Sequence, residues 1–220
     1  MFIRQRWIFL FATATVAFLY YGCSDNGIGG AIGEQYAEQY AGQTYGTNNC
    51  GKDGTAGSCK TANIGGKTWM AENLNRVPSS GNSWCYENIE YNCQIFGRLY
   101  DWNTAKTVCP TGWHLPTRDE WRALVDSVGG YSVAGKKLKS TSGWYNNGNG
   151  TDQYGFSALP GGYRRSDGDF NGAGYYGDWW TATESSEGGA YGRSMGYGNG
   201  LVYENDNDES VGFSARCVQD

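Results

Sequence analysis

Residues 109–121 read CPTGWHLPTRDEW, and how this stretch is interpreted decides the fold. It holds a cysteine, two tryptophans, the single histidine of the chain and the start of a helix. Thr117 is placed as an N-cap and Glu120 stands at the third helical position. That is the reciprocal capping box, which satisfies two otherwise orphan backbone donors. Trp121, Leu124, Val125 and Val128 follow at i, i+3, i+4 and i+7 and predict one buried stripe, and Gly129 offers a left-handed stop. Upstream, YDWNTAKTVCP carries Trp102, Ala105 and Cys109 at helical spacing and is halted by Pro110. Cys109 therefore closes one helix and Thr117 opens the next.

The same stretch admits a catalytic reading, because a thiol and an imidazole make a nucleophile and its base. Against it stands the number of histidines. With one in 220 residues, no site built on two imidazoles exists, and a lone His114 between Trp113 and Leu115 is a packed residue.

Composition narrows the class. Lys plus Arg number 17 against 22 Asp plus Glu, so the chain is mildly acidic and has nothing to hold a nucleic-acid backbone. There are 35 Gly, 9 Trp and 17 Tyr, which predicts a turn-rich domain whose buried area comes from flat amphipathic rings.

The N-terminus predicts export. Arg4 and Arg6 precede WIFLFATATVAFLYYG, an uncharged run shorter than the roughly 20 residues a membrane-spanning helix needs. The run ends at Gly22-Cys23 and is followed by polar SDNGIGG. Residues 1–22 thus read as a signal peptide in a sequence that resembles a bacterial lipoprotein signal, with Cys23 lipidated. Tyr20 stands where an aliphatic residue is usual. Residues 23–49, rich in Gly and polar residues with EQYA repeated, read as a tether. One domain, 50–220, follows.

Six further cysteines, Cys50, Cys59, Cys85, Cys93, Cys109 and Cys217, predict disulfides in an oxidising compartment. Fifteen pairings are open. Cys50 with Cys59 and Cys85 with Cys93 each flank a short turn-rich segment that a local bridge would close, which leaves Cys109 with Cys217. TWMAENL reads as a short helix. YGFSALPGGYR, DWWTATES, GRSMGYGNGLVYE and SVGFSARCV read as strands between Gly, Asn and Asp turns. Trp179 and Trp180 would face opposite sides of a strand, and both are assigned to the core.

Several motifs, IGGKTWMAENLN, GRLYDWNTAKTVCPTGWHLPTRDEW, GNGTDQYGFSALPGGYR, WWTATE and VGFSARCV, resemble in order the Fibrobacter succinogenes major paralogous domain, a family of exported bacterial domains. GWHLPTRDEW with the terminal VGFSARCV is more distantly similar to formylglycine-generating, sulfatase-modifying domains, a variant of the C-type lectin fold. The resemblance implies an α+β, C-type-lectin-like domain with two helices, a small twisted antiparallel sheet and long Gly-rich loops. It also implies a Cys109–Cys217 bridge, so Cys109 is no free thiolate. The formylglycine enzymes need two reactive cysteines in their C-terminal part, and only Cys217 lies beyond residue 109. A catalytic role is not expected.

Recognition remains. SGWYNNGNGTDQYGF and YENDNDES concentrate amides, carboxylates and aromatic rings on segments expected to be exposed. Planar amides and carboxylates pair with sugar hydroxyls, and an aromatic face stacks on a pyranose. The candidate ligand-binding residues are Trp144, Tyr145, Asn146, Asn149, Asp152, Tyr163, Glu204, Asp206 and Asp208. No cofactor is implied. Asn205, Asp206, Asn207 and Asp208 would suit calcium, but the Glu-Pro-Asn and Trp-Asn-Asp signatures of sugar-binding C-type lectins are absent. The expectation is a non-catalytic lipoprotein of the outer membrane or cell surface, touching the membrane only through its lipid and binding polysaccharide or an envelope protein. A structural envelope protein with protein partners is the alternative.

Overall fold

The computed structural model describes residues 47–220. The predicted signal peptide, Cys23 and most of the tether lie outside the described residues. Asn48 is already part of the domain: its N–H donates to the Gln94 carbonyl at 2.7 Å and its side chain reaches the Asn73 carbonyl at 2.9 Å. Among the described residues no helix is long and apolar enough to cross a membrane.

The chain is mixed helix and sheet. In order come β1 (Thr61–Ile64), β2 (Lys67–Met70), β3 (Ser83–Trp84), α1 (Glu90–Phe96), β4 (Leu99–Tyr100), α2 (Trp102–Val108), β5 (Trp113–His114), α3 (Arg118–Ser127) and α4 (Tyr131–Leu138). The second half holds β6 (Gly161–Arg164), β7 (Phe170–Ala173), β8 (Tyr176–Glu184), β9 (Ala190–Gly196), β10 (Tyr203–Asn207), β11 (Phe213–Ser214) and β12 (Val218–Gln219). A four-stranded sheet has the order β1-β2-β12-β5, and an eight-stranded curled sheet runs β10-β9-β8-β11-β4-β3 with β6 and β7 attached beside β8.

The two expected helices form as predicted. The Thr117 hydroxyl accepts from the Glu120 N–H at 3.2 Å and the Glu120 carboxylate accepts from the Thr117 N–H at 2.8 Å, completing the capping box of α3. Asp101 caps α2 by accepting from the Thr104 N–H at 2.8 Å.

Three expectations need correction. TWMAENL is no helix: Lys67–Met70 forms a hairpin with β1 across Gly65 and Gly66, whose φ of 61° and 79° suit the tight turn that matches strand twist. Among the described residues there are four helices rather than two. α4 escaped detection because it contains Gly135 and β-branched Val133, both poor helix formers. The glycine is required by packing, since a Cβ there would lie 2.4 Å from the Leu201 carbonyl oxygen. Finally, the sheet is not purely antiparallel, for β8 pairs in parallel with β6 and with β11.

The core has two halves divided by the plane of β8. Trp179 points to one half with Trp69, Trp121, Phe156 and Leu138. Trp180 points to the other with Tyr100, Trp102, Leu115 and Phe213. Both indoles are fully buried, as their core assignment required, and both donate: Trp179 to the Asn73 side chain and Trp180 to the Tyr100 carbonyl, each at 2.8 Å. Trp121 is fully buried with its N–H unpartnered. Leaving one donor unsatisfied costs about 1–3 kcal/mol. Truncating such a ring costs about 3–5, so packing wins.

Three disulfides close as Cys50–Cys59, Cys85–Cys93 and Cys109–Cys217. The first two span 9 and 8 residues, the third 108. On a chain-entropy account the long bridge contributes roughly 4–5 kcal/mol. Urea denaturation of a Cys109→Ser, Cys217→Ser variant is expected to show a loss of that order, larger than the loss on removing Cys50–Cys59.

Candidate ligand-binding surface

Residues 109–121 form a structural junction. Cys109 is bonded to Cys217. The His114 ring lies between two carboxylates, with Nδ1 at 2.6 Å from Asp220 and Nε2 at 3.0 Å from Glu120. Lys67 pairs with the same Glu120 at 2.9 Å. Partial burial disfavours the imidazolium, but the hydrogen bonds it donates to Asp220 and Glu120 outweigh it and raise the His114 pKa. Burial would likewise raise Glu120. The Thr117 N–H, Lys67 and His114 overcome this and hold its carboxyl at about 2. Only a protonated ring can donate to both carboxylates, so the group is a clasp joining β5, α3 and the last residue.

Because the folded pKa of His114 lies above its unfolded value, the clasp contributes fully below the unfolded pKa and is lost as pH rises through the folded one. The stability difference between the parent chain and His114→Phe is therefore expected to be larger at about pH 5.5 than at about pH 8.5. Thermal melts at the two pH values measure it, and an equal difference would overturn the assignment.

The candidate ligand residues fall in three places. The first is the loop after α4. Trp144 is 3% exposed, and its indole donates to the Ser140 hydroxyl and the Ala158 carbonyl, both at 3.1 Å, so its ring belongs to the core and offers no face to a ligand. The Asn149 side chain accepts from the Trp144 N–H at 3.0 Å, and Asp152 accepts from the Ser157 N–H and hydroxyl, both at 2.6 Å. These two polar groups shape the loop.

Tyr145 and Asn146 are exposed on a short turn of which Asn147 is also part, and both asparagines adopt left-handed backbone (φ 47° and 58°). Asn tolerates that conformation because its short side chain bonds locally. Tyr145 is 38% exposed. Its ring stacks on Tyr175 with centroids 4.5 Å apart and meets Tyr197 edge-on at 5.4 Å, and Tyr175 meets Tyr197 in the same way at 5.4 Å. Three tyrosines from three separate segments thus form one surface cluster. Tyr175 and Tyr197 escaped the sequence reading, although each stands beside glycine in a turn (GAGYYG, MGYGNG), the signal that could have flagged them.

Tyr163 is half-buried, lies edge-on to Phe213 at 6.3 Å and packs against the half of the core that holds Trp180. The third place is β10 and the turn beyond it. Glu204 is held by Arg118, whose Nε donates to it at 2.8 Å, and by Arg193. The Arg118 bond is the main reason its pKa is lowered. It ties β10 to α3. Asp206 is exposed, and Asp208 accepts from the Ser210 N–H at 2.8 Å and closes a turn.

Strand alternation also separates the oxygens proposed for calcium. Asn205 and Asn207 project from one face of β10 and Asp206 from the other, so the four side chains do not converge. Among the described residues, one Cys/His/Asp/Glu group is tight enough for a metal: Cys85, Glu90 and Cys93, within 4.8 Å. Its two sulfurs are bonded to each other and offer no thiolate.

Residues 62–219 match the family model described as the Fibrobacter succinogenes major domain. The chain belongs to this family. No curated protein and no solved structure matches it. In this member of the Fibrobacter succinogenes major domain family, the matched span takes in all four helices, all three tyrosines of the cluster and the Cys109–Cys217 bridge, whereas Cys50 and Cys59 precede it.

Proposed function

We propose that this chain is an exported, lipid-anchored surface protein whose C-type-lectin-like domain binds a polysaccharide without catalysing its breakdown. The observation that carries the reading is the Tyr145–Tyr175–Tyr197 cluster, flanked by Asn146 and Asn147. A pyranose presents an apolar face that stacks on such a ring, and amides pair with its hydroxyls. The rings stack on each other and come from different segments, so the platform is rigid before any ligand arrives, which lowers the ordering cost of binding. The lectin-like reading is supported by the covalent joining of the α2 end to the segment leading into β12. Cys109, the thiol a nucleophilic mechanism would use, is occupied.

The chain is expected to be retained by a panel of immobilised polysaccharides. Tyr145→Ala is expected to weaken retention by roughly tenfold, since stacking of this kind is worth about 1 kcal/mol or more, while leaving the circular dichroism spectrum unchanged. Retention by none of the polysaccharides, together with cell-surface cross-links to envelope proteins, would replace this reading with that of an assembly protein.

The anchoring part of the proposal rests on Cys23. Metabolic labelling with a radioactive fatty acid is expected to mark the parent chain and to leave Cys23→Ser unmarked and released into the medium.

A further inference from the structure

A second surface lies on the face of the curled sheet that carries Trp180. On β9 the residues projecting from that face are Gly192, Ser194 and Gly196, all small. Their partners on β8 are Trp180, Asp178 and Tyr176, and those of Gly192 and Ser194 on β10 are Asn205 and Tyr203. Directly paired residues share a face. The result is a trough with a floor of β9 backbone and walls on β8 and β10, two strand spacings or roughly 9.5 Å apart. One end is closed, because a Cβ at Gly192 would touch Asn207 and Phe213 at 3.0 Å. At Gly196 the only atoms such a Cβ would meet are those of the Tyr176 ring, at 3.5 and 3.6 Å. Tyr176 and Tyr203 are 44% and 39% exposed.

Asp178 stands in the wall of this trough, 7% exposed. Its carboxyl is aimed across the floor, for Oδ1 accepts from the Ser194 hydroxyl at 2.6 Å. Oδ2 is buried and accepts nothing. Among the described residues no cation compensates the group. Arg193 projects from the other face of β9, where it pairs with Glu204, and Arg164 stacks over Trp84. Burial raises the Asp178 carboxyl to about 7, with the Ser194 bond pulling the other way. An uncompensated buried carboxylate is costly unless a partner supplies both a donor and a positive charge.

The geometry points to this trough as a subsite for a glycan strand bearing free amino groups, with a sugar ammonium donating to Asp178 Oδ2 and the Tyr176 and Tyr203 rings beside it. This rests on the polysaccharide reading above and adds the chemical class and the place. An ammonium brings both the donor and the positive charge that Asp178 lacks, whereas a neutral acetamide brings no charge. Tyrosine rings attract cations.

The test uses the full chain, titrated calorimetrically with glucosamine hexamer, its fully N-acetylated counterpart, cellohexaose and oligolysine. The glucosamine hexamer is expected to bind at least tenfold more tightly than the two neutral hexamers. Asp178→Asn, which keeps the shape and the Ser194 hydrogen bond, is expected to remove that preference while the melting temperature shows the fold intact. Ser194→Val is a second variant, expected to narrow the preference by filling the floor. Equal binding of all three hexamers, unchanged in Asp178→Asn, would overturn the subsite and leave polysaccharide recognition standing. Binding of none would overturn both. Oligolysine bound in place of glucosamine hexamer, and lost in Asp178→Asn, would overturn the glycan assignment by giving the carboxylate to a protein amine.

Discussion

The fold depends on seating the C-terminal segment Phe213–Val218 through the middle of the molecule, where each of its six residues is buried. Phe213 and Ser214 bridge β4 and β8, and Val218 sits between β2 and β5, so one short segment joins both sheets. Between them, Arg216 and Cys217 fix it on opposite sides. Cys217 takes the bridge to Cys109. Arg216 is fully buried, its guanidinium stacked over Phe156 and bonded to Asn73 Oδ1 at 2.8 Å and to the Phe156 and Ser157 carbonyls.

Burying a guanidinium costs several kcal/mol unless its donors are met. Burial lowers its pKa to about 9, with the charges of Asp152 and Glu72 pushing back. The cost is offset by shared use of Asn73, which also accepts from Trp179 and donates to the Phe96 carbonyl at 2.8 Å. One amide therefore links the segment before β3, the end of α1, β8 and the C-terminal segment. With the centre locked in this way, the loops after α4 and β7 and the outer strand β10 are free to carry surface chemistry. The two faces of β8–β9 then present different surfaces: a tyrosine cluster at the turns and a polar trough along β9.

Legibility followed the range of the interaction. Thr117, Glu120 and the Trp121 stripe declare α3 within a dozen residues, because capping and helical periodicity are local. The three disulfides were readable for a related reason, since two bridges close nearby pairs and the family likeness points to the third. The β1–β2 hairpin is marked locally only by Gly65-Gly66, and the apolar Trp69 and Met70 beyond it fit a short helix as well as a strand. α4 was illegible because its reason lies at Leu201, a contact that favours glycine exactly where helix propensity opposes it. Among the ligand candidates, Trp144, Asn149, Asp152 and Glu204 bear the right functional groups, but the fold spends those groups on its own hydrogen bonds.

By itself, the sequence determined a mildly acidic, ring-rich domain, six cysteines to be paired, a firmly capped helix and membership of a domain family. These follow from composition and from interactions between near neighbours. Only the tertiary structure decided which aromatic rings are spent in the core and which meet at the surface, since Tyr145, Tyr175 and Tyr197 are dozens of residues apart in the chain. It alone brought Asp178 opposite Ser194, because strand register, which is set by long-range pairing, determines which side chains share a face.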